Sequence, residues 1–220
     1  MAVVVVAVLI VRDVVTTHTV LLLAVLFGSV ILHEVSHGFV ALKFGDDTAK
    51  RAGRLTLNPI SHVDPFGTII LPVILVLVGS SPFGWAKPVP VNWDKLRNPR
   101  RDMALVALAG PLANVVMLLI WAAVAKLGLS YGQDYFVATG LAGIVINAVL
   151  IALNLLPVPP LDGSRVVSAL LPAEMALQYG RIEPYGLIIL LVLIGSGALS
   201  RLMEPTMNLI GWVMQTLLSG

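Results

Sequence analysis

The chain has no cysteine. Disulfides and thiolate metal sites are therefore excluded together, and any bound metal must be held by imidazole and carboxylate. Charge is scarce as well. Only 12% of the 220 residues are Asp, Glu, Lys or Arg, about half the roughly 25% usual in a soluble domain. The net charge is just +2 and the basic residues gather in a few loops, a pattern that suits membrane orientation and not nucleic-acid binding. No internal repeat or low-complexity linker is evident. What is abundant is apolar: 58% of residues are hydrophobic, with a mean hydropathy of +0.95. They come in long blocks, not at the spacing of a half-buried surface helix. These features specify a polytopic helical membrane protein in a lipid bilayer.

The apolar stretch Met1 to Val11 lacks a basic flank and a small-residue cleavage site, so it is not read as a removed signal peptide. It is a first membrane element, a short strand or a flanking arm. The first strong helix is expected from about Thr19 to Phe44. Gly53 to Pro65 alternates apolar and polar residues around Leu55 and Leu57, which predicts a short strand or hairpin. Phe66 to Gly79 is apolar but spans roughly 21 Å as a helix, against a ~30 Å hydrocarbon core. In Phe83 to Asn92, Pro88 and Pro90 forbid a regular helix, which predicts an extended return through the protein interior. Helices follow from about Asp102 to Lys126 and from about Tyr135 to Leu156. Then come a short amphipathic helix from Gly163 to Leu171 and apolar segments at Pro184 to Leu199 and Pro205 to Leu218. The expected total is five or six membrane segments with a small membrane-embedded strand or extended region.

Orientation follows from the basic loops. The stretches after Phe44 and before Asp102 carry most of the Lys and Arg, so both are placed on the cytoplasmic side. The connection from Gly128 to Gln133 is nearly uncharged and faces outward. Chain direction then returns Pro157 to Arg165 to the cytoplasmic side, beside the end of the first strong helix.

That helix contains His33-Glu34-Val35-Ser36-His37, an H-E-x-x-H pattern. Residues four apart share a helix face, with ~6 Å of rise between them, so both imidazoles can reach one ion. Glu34 projects about 100° away, near enough to take a proton from a water the ion activates and pass it to a leaving amine. Three ionisable groups in an apolar helix each cost at least ~2.5–3.5 kcal/mol near the bilayer centre unless compensated. The structural alternatives are a helix end at the interface or a polar packing network.

Two histidines leave a tetrahedral zinc in need of a third protein ligand. His62, Asp64, Asp102 and Asp162 are the candidates, with His62 and Asp64 read as loop residues near the site and His18 as interfacial. Asp162 stands out because Leu161-Asp162-Gly163 follows an apolar helix whose end is expected beside the histidine pair, although an Asp there would also cap the next helix. Buried amides supply the next signal. Asn114, Asn147 and Asn154 lie within apolar helices, where an amide can serve an unwound backbone or an oxyanion. Asn154 and Asn114 are the substrate or oxyanion candidates, while Asn147 is assigned to packing.

HEVSH, AGPLAN and NLLPVPPLDG, set within apolar segments, together resemble the site-2 protease family of intramembrane zinc metalloproteases. GRLTLNPISHVDPFGT and FGWAKPVPVN are similar to its compact prokaryotic branch. The resemblance runs from about Leu32 to Pro184. It implies Zn2+ held by His33, His37 and Asp162, with Glu34 as catalytic base. It further implies cleavage within a transmembrane helix of a membrane-bound regulatory protein, at a cell membrane, with the active site towards the cytoplasm. No PDZ-like insert interrupts the chain, so gating falls to the membrane portion or to a separate regulatory partner. Residues 1–220 are read as one domain, with a catalytic core over about 18–171 and C-terminal membrane segments over about 184–218.

A substrate helix must unwind before water can reach its carbonyls. Of the two extended stretches, Gly53 to Asn58 is preferred over Phe83 to Asn92 as the pairing edge, because prolines remove donors from the second. The main rival function is a metal-ion or proton-coupled transporter using the same His, Glu and Asp cluster. Against it stand the single metal constellation, the absence of an inverted repeat, and a general base beside the paired ligands. A catalytically dead zinc adaptor does not explain Glu34. Serine chemistry fits poorly because Ser196 has no neighbouring histidine, and aspartyl chemistry fits poorly because Asp46 and Asp47 share one basic loop.

Overall fold

A computed structural model of the chain describes residues 17–77, 79 and 85–219. The Met1 to Val11 stretch and the side chain of His18 lie outside the described residues. The elements are α1 (Thr17–Lys43), α2 (Thr48–Arg51), α3 (Leu71–Leu77), α4 (Pro99–Ser130), α5 (Asp134–Asn154), α6 (Asp162–Leu170), α7 (Ala173–Gly180), α8 (Gly186–Gly195) and α9 (Ala198–Ser219). A π-helical turn, Pro65–Ile70, leads into α3.

Four stretches are long and apolar enough to cross a membrane: Leu21–Lys43, Pro99–Ser130, Asp134–Asn154 and Ala173–Gly195. The sequence counted five or six. α3 is too short to span. α9 has the length, but Arg201 and Glu204 lie in its first turns and break its apolar run. The outer surface is that of a lipid-facing bundle, with Leu112, Val116, Val145 and Val192 all more than half exposed. A soluble monomer rarely displays so continuous an apolar exterior.

α4 and α5 form the most extensive helix pair, and α1 packs across both. Small residues permit the close approach. A Cβ added at Gly140 would lie 2.6 Å from the Ala125 backbone nitrogen, and one at Gly143 would lie 2.2 Å from Trp121. In a bilayer, where apolar burial drives helices together only weakly, such backbone proximity supplies the packing.

Between α2 and the π turn, the expected strand at Gly53 to Asn58 does not form, and there is no strand among the described residues. Local bonds take the groups a ladder would use. The Gly53 and Arg54 N–H groups donate to Lys50 and Ala49 carbonyls, the Asn58 N–H donates to Thr56 Oγ1, and the Thr56 carbonyl accepts from His62 Nε2. The extended segment is instead Trp85 to Asn92. It is pinned by Thr68, Arg54, Glu34 and Asp46 through side-chain bonds to its backbone.

Gly140→Leu is expected to destabilise the α4–α5 pair by about 2 kcal/mol, because the contact is with backbone and cannot relax. Thermal unfolding in detergent reads this directly. Gly195→Ala, where the added Cβ meets nothing within 4 Å, is the control that leaves the midpoint in place.

Candidate metal centre

α1 presents His33 and His37 on one face, as the four-residue spacing requires. Their rings meet edge to face with centroids 4.7 Å apart. Both are buried, and each imidazole is held from behind. His37 Nδ1 donates to the Val106 carbonyl at 2.7 Å. His33 Nδ1 donates to Asn114 Oδ1 at 2.5 Å. The orientation of the Asn114 amide is set by its other end, because its Nδ2 donates to the Ser29 carbonyl and to Asn147 Oδ1. The Val106 carbonyl and the Asn114 Oδ1 can each only accept, so both imidazoles carry a proton on Nδ1. With each proton on Nδ1, both Nε2 lone pairs point inward.

They meet Asp162. Its Oδ2 lies 3.1 Å from His33 Nε2 and its Oδ1 lies 3.4 Å from His37 Nε2. Asp162 is the first residue of α6, and its side chain makes no capping bond, so the capping alternative is not what the carboxylate does. Its approach depends on Gly163 for a reason of space rather than of left-handed backbone. A Cβ there would sit 2.3 Å from the Leu155 carbonyl oxygen and 2.5 Å from that of Leu156. Without a side chain, the start of α6 folds directly against the end of α5.

One ligand atom from each of His33, His37 and Asp162 falls within 4.8 Å of the others. Asp162 Oδ2 is buried with no hydrogen-bond partner, although it faces an imidazole lone pair. Two acceptors so close repel each other unless a metal ion or a second imidazole proton lies between them. Two imidazoles and one carboxylate are also a donor set that zinc takes while keeping a position open. The residues fit the metal.

Gly110 completes the pocket and was missed by sequence reasoning. A Cβ at this position would lie 2.4 Å from His37 Nε2 and 2.5 Å from His33 Nε2. The Gly-Pro pair inside a helix was the available signal. Asn147, assigned to packing, makes interhelical bonds: its Oδ1 accepts from Asn114 Nδ2 and its Nδ2 donates to Ser29 Oγ at 3.0 Å. Asn114 is fully buried and lies behind His33 rather than in the open cavity. Asn154 lines that cavity, with its Nδ2 donating to the Leu150 carbonyl of its own helix at 3.0 Å. The other ligand candidates are engaged elsewhere. His62 Nε2 donates to Thr56, Asp64 Oδ1 accepts from the Gly67 N–H, and Asp102 Oδ2 accepts from the Asn98 N–H.

The cavity has a volume of about 640 Å³ and is lined by the three clustered residues, Glu34, Asn154 and the extended segment from Trp85. Glu34 Oε2 accepts the Val89 N–H at 2.8 Å. An ion pair between Arg165 and Glu183 lies on the same cavity wall, with the Arg165 guanidinium 5.6 Å from the Trp93 ring centre.

Apolar helices long enough to cross a membrane surround a His-His-Asp cluster, its histidines buried and its Asp partly so, that could hold a metal ion, with the Glu34 carboxylate lining the same cavity. No family model matches the chain, and no solved structure matches significantly. Among curated proteins it is similar to "Putative zinc metalloprotease YwhC" of Bacillus subtilis, at 43% identity over 194 residues, covering 85% of each chain. It is also similar to "Putative zinc metalloprotease Rip2" of Mycolicibacterium smegmatis, at 34% identity over 179 residues, covering 79% of this chain and 66% of that one. The chain belongs to the site-2 protease family of zinc metalloproteases.

Gly110→Ala is expected to weaken zinc binding at least as much as Asn114→Ala. If His33 holds the metal, loss of the Asn114 bond to its imidazole is expected to cost about 10- to 100-fold in affinity. Competitive chelator titration of the purified protein measures both, and an unchanged circular dichroism spectrum separates site loss from unfolding.

Proposed function

We propose that the chain hydrolyses a peptide bond within a transmembrane helix of a membrane-bound regulatory protein. The observation that carries this reading is a shared cavity. His33, His37, Asp162 and Glu34 open onto one space of about 640 Å³ together with a stretch of extended backbone. A transporter needs a path through the membrane, whereas a protease needs ligands, a base and room for an unwound chain.

His33, His37 and Asp162 would hold the metal. Zinc supplies Lewis acidity that polarises a carbonyl and makes water acidic near neutral pH. Glu34 takes one proton from the attacking water. The water oxygen bonds to the carbonyl carbon, and Glu34 returns the proton to the amide nitrogen as the C–N bond breaks. Asn154 turns from its own helix into the cavity to donate to the carbonyl oxygen. Asn114 is a positioning residue for His33.

The substrate is received along Trp85 to Val91 rather than Gly53 to Asn58. The first stretch lines the cavity, whereas Leu55 packs at Gly38 and Leu57 faces outward. The short α3 and the amphipathic α9 count as further membrane-embedded elements beside the four spanning stretches, and 1–220 act as one catalytic unit. The basic residues Lys43, Lys50, Arg51, Lys95, Arg100 and Arg101 lie at the C-terminal end of α1, in α2 or around the start of α4, which supports a site on the cytoplasmic side of the cell membrane. A separate protein partner supplies the regulation.

The test pairs metal content with cleavage of a transmembrane-helix substrate in detergent. Glu34→Gln is expected to keep its zinc and lose about a thousandfold in turnover. Asp162→Ala is expected to lose zinc and turnover together. Parent-like cutting by Glu34→Gln would remove the proposed mechanism, and metal flux across liposomes without any cutting would establish the transporter instead.

A further inference from the structure

The bond from the Val89 N–H to Glu34 Oε2, at 2.8 Å, joins residues 55 apart in sequence and ties the base to the cavity's extended segment. The segment bonds inward at alternate residues. The Trp85 N–H donates to Gly67, the Lys87 N–H donates to His62, and the Val89 N–H donates to Glu34. Residues 88 and 90 are both proline and have no N–H to give. Prolines also hold the residues before them, Lys87 and Val89, in extended conformation. A one-residue slip in register would therefore bring a nitrogen without a proton to Glu34. Two further bonds fix the register on either side: Arg54 Nη2 donates to the Lys87 carbonyl at 2.7 Å, and the Asn92 N–H donates to Asp46 Oδ2 at 2.7 Å. Arg54 and Asp46 are themselves buried. Val89 also packs against the same turn of α1, since a Cβ at Gly38 would meet its Cγ1 at 2.7 Å.

We propose that Val89 is a positioning residue acting through its backbone. Its N–H, isolated between Pro88 and Pro90, clamps one carboxylate oxygen of Glu34 and leaves the other to handle the proton. A carboxylate on a freely rotating Glu side chain samples several rotamers, and a charge-assisted bond to a fixed backbone donor selects one. The Pro-Val-Pro sequence is then a specification of where the only donor lies within residues 88–90. The proposal rests on Glu34 as the base and deepens that reading.

The experiment removes the N–H without removing the side chain. An ester at position 89, introduced as the α-hydroxy analogue of valine, deletes the donor, and Val89→Pro deletes it by a second route. Val89→Ala keeps the donor while trimming the side chain. The ester and Val89→Pro proteins are expected to fall about thirtyfold in kcat below Val89→Ala, which shares the trimmed or altered wall but keeps the donor, with KM within about twofold of it and the same zinc content. Independently of turnover, the antisymmetric carboxylate band of Glu34 should move in the ester and stay in Val89→Ala. That band is isolated by infrared difference against Glu34→Gln on each background. An ester protein with parent kcat and an unmoved band would overturn the proposal. Parent-like turnover by Glu34→Gln alone would overturn the underlying base assignment instead.

Discussion

Two hydrogen bonds on the outer sides of the histidine rings set the terms for the rest of the molecule. Val106 and Asn114 each accept an Nδ1 proton, and this leaves two Nε2 lone pairs converging on Asp162. If either imidazole took the other tautomer, an N–H would point into the cluster and the donor set for a cation would be lost. The Val106 bond holds automatically, because a backbone carbonyl can only accept. The Asn114 bond depends on the Ser29, Asn114 and Asn147 network, all of it fully buried at the crossing of α1, α4 and α5. Buried polar groups with no water nearby are worth having only when every partner is satisfied. Here the satisfied network also orients the proposed metal ligand.

Backbone proximity is the second constraint. Gly110 and Gly163 have no exposed role, and neither has a positive φ. Each is a place where one methyl group would collide with the centre or with the turn that delivers its carboxylate. α4 therefore passes the imidazoles at backbone distance, and α6 starts against the carbonyls of Leu155 and Leu156, just past the end of α5. The candidate cluster takes its side chains from α1 and α6, and their distances from each other and from α4 are set by missing side chains.

The shared face of His33 and His37, with Glu34 beside it, was legible because a four-residue spacing within one helix needs no tertiary information. Asp162 was legible only as one candidate among several, since its distance from His33 depends on how the proline-rich turn folds back. Asn114 was visible as a buried amide but not as the partner of a particular ring, because 81 residues separate it from His33. The prediction of a strand at Leu55 and Leu57 read alternation correctly but lacked a partner. Alternation describes a surface, and a strand needs a ladder. The extended course of the Pro88 and Pro90 stretch was legible for the opposite reason, since proline restricts the backbone whatever surrounds it.

That extended stretch raises a physical problem the fold has to solve. Backbone outside a helix at membrane depth must find partners within the protein. A sheet would satisfy it with another backbone and leave that edge fully occupied. Here two isolated backbone carbonyls, of Gly67 and His62, take the Trp85 and Lys87 N–H groups, and side chains do the rest: Thr68 at the Trp85 carbonyl, Arg54 at the Lys87 carbonyl, Glu34 at the Val89 N–H and Asp46 at the Asn92 N–H. Side chains reach the segment from α1, from the loops and from the π turn, so no neighbouring strand is required and the cavity face stays open. One of those four side chains is the proposed base. The same bond therefore satisfies a buried donor and fixes a carboxylate, which couples the shape of the cavity wall to the position of the reactive group.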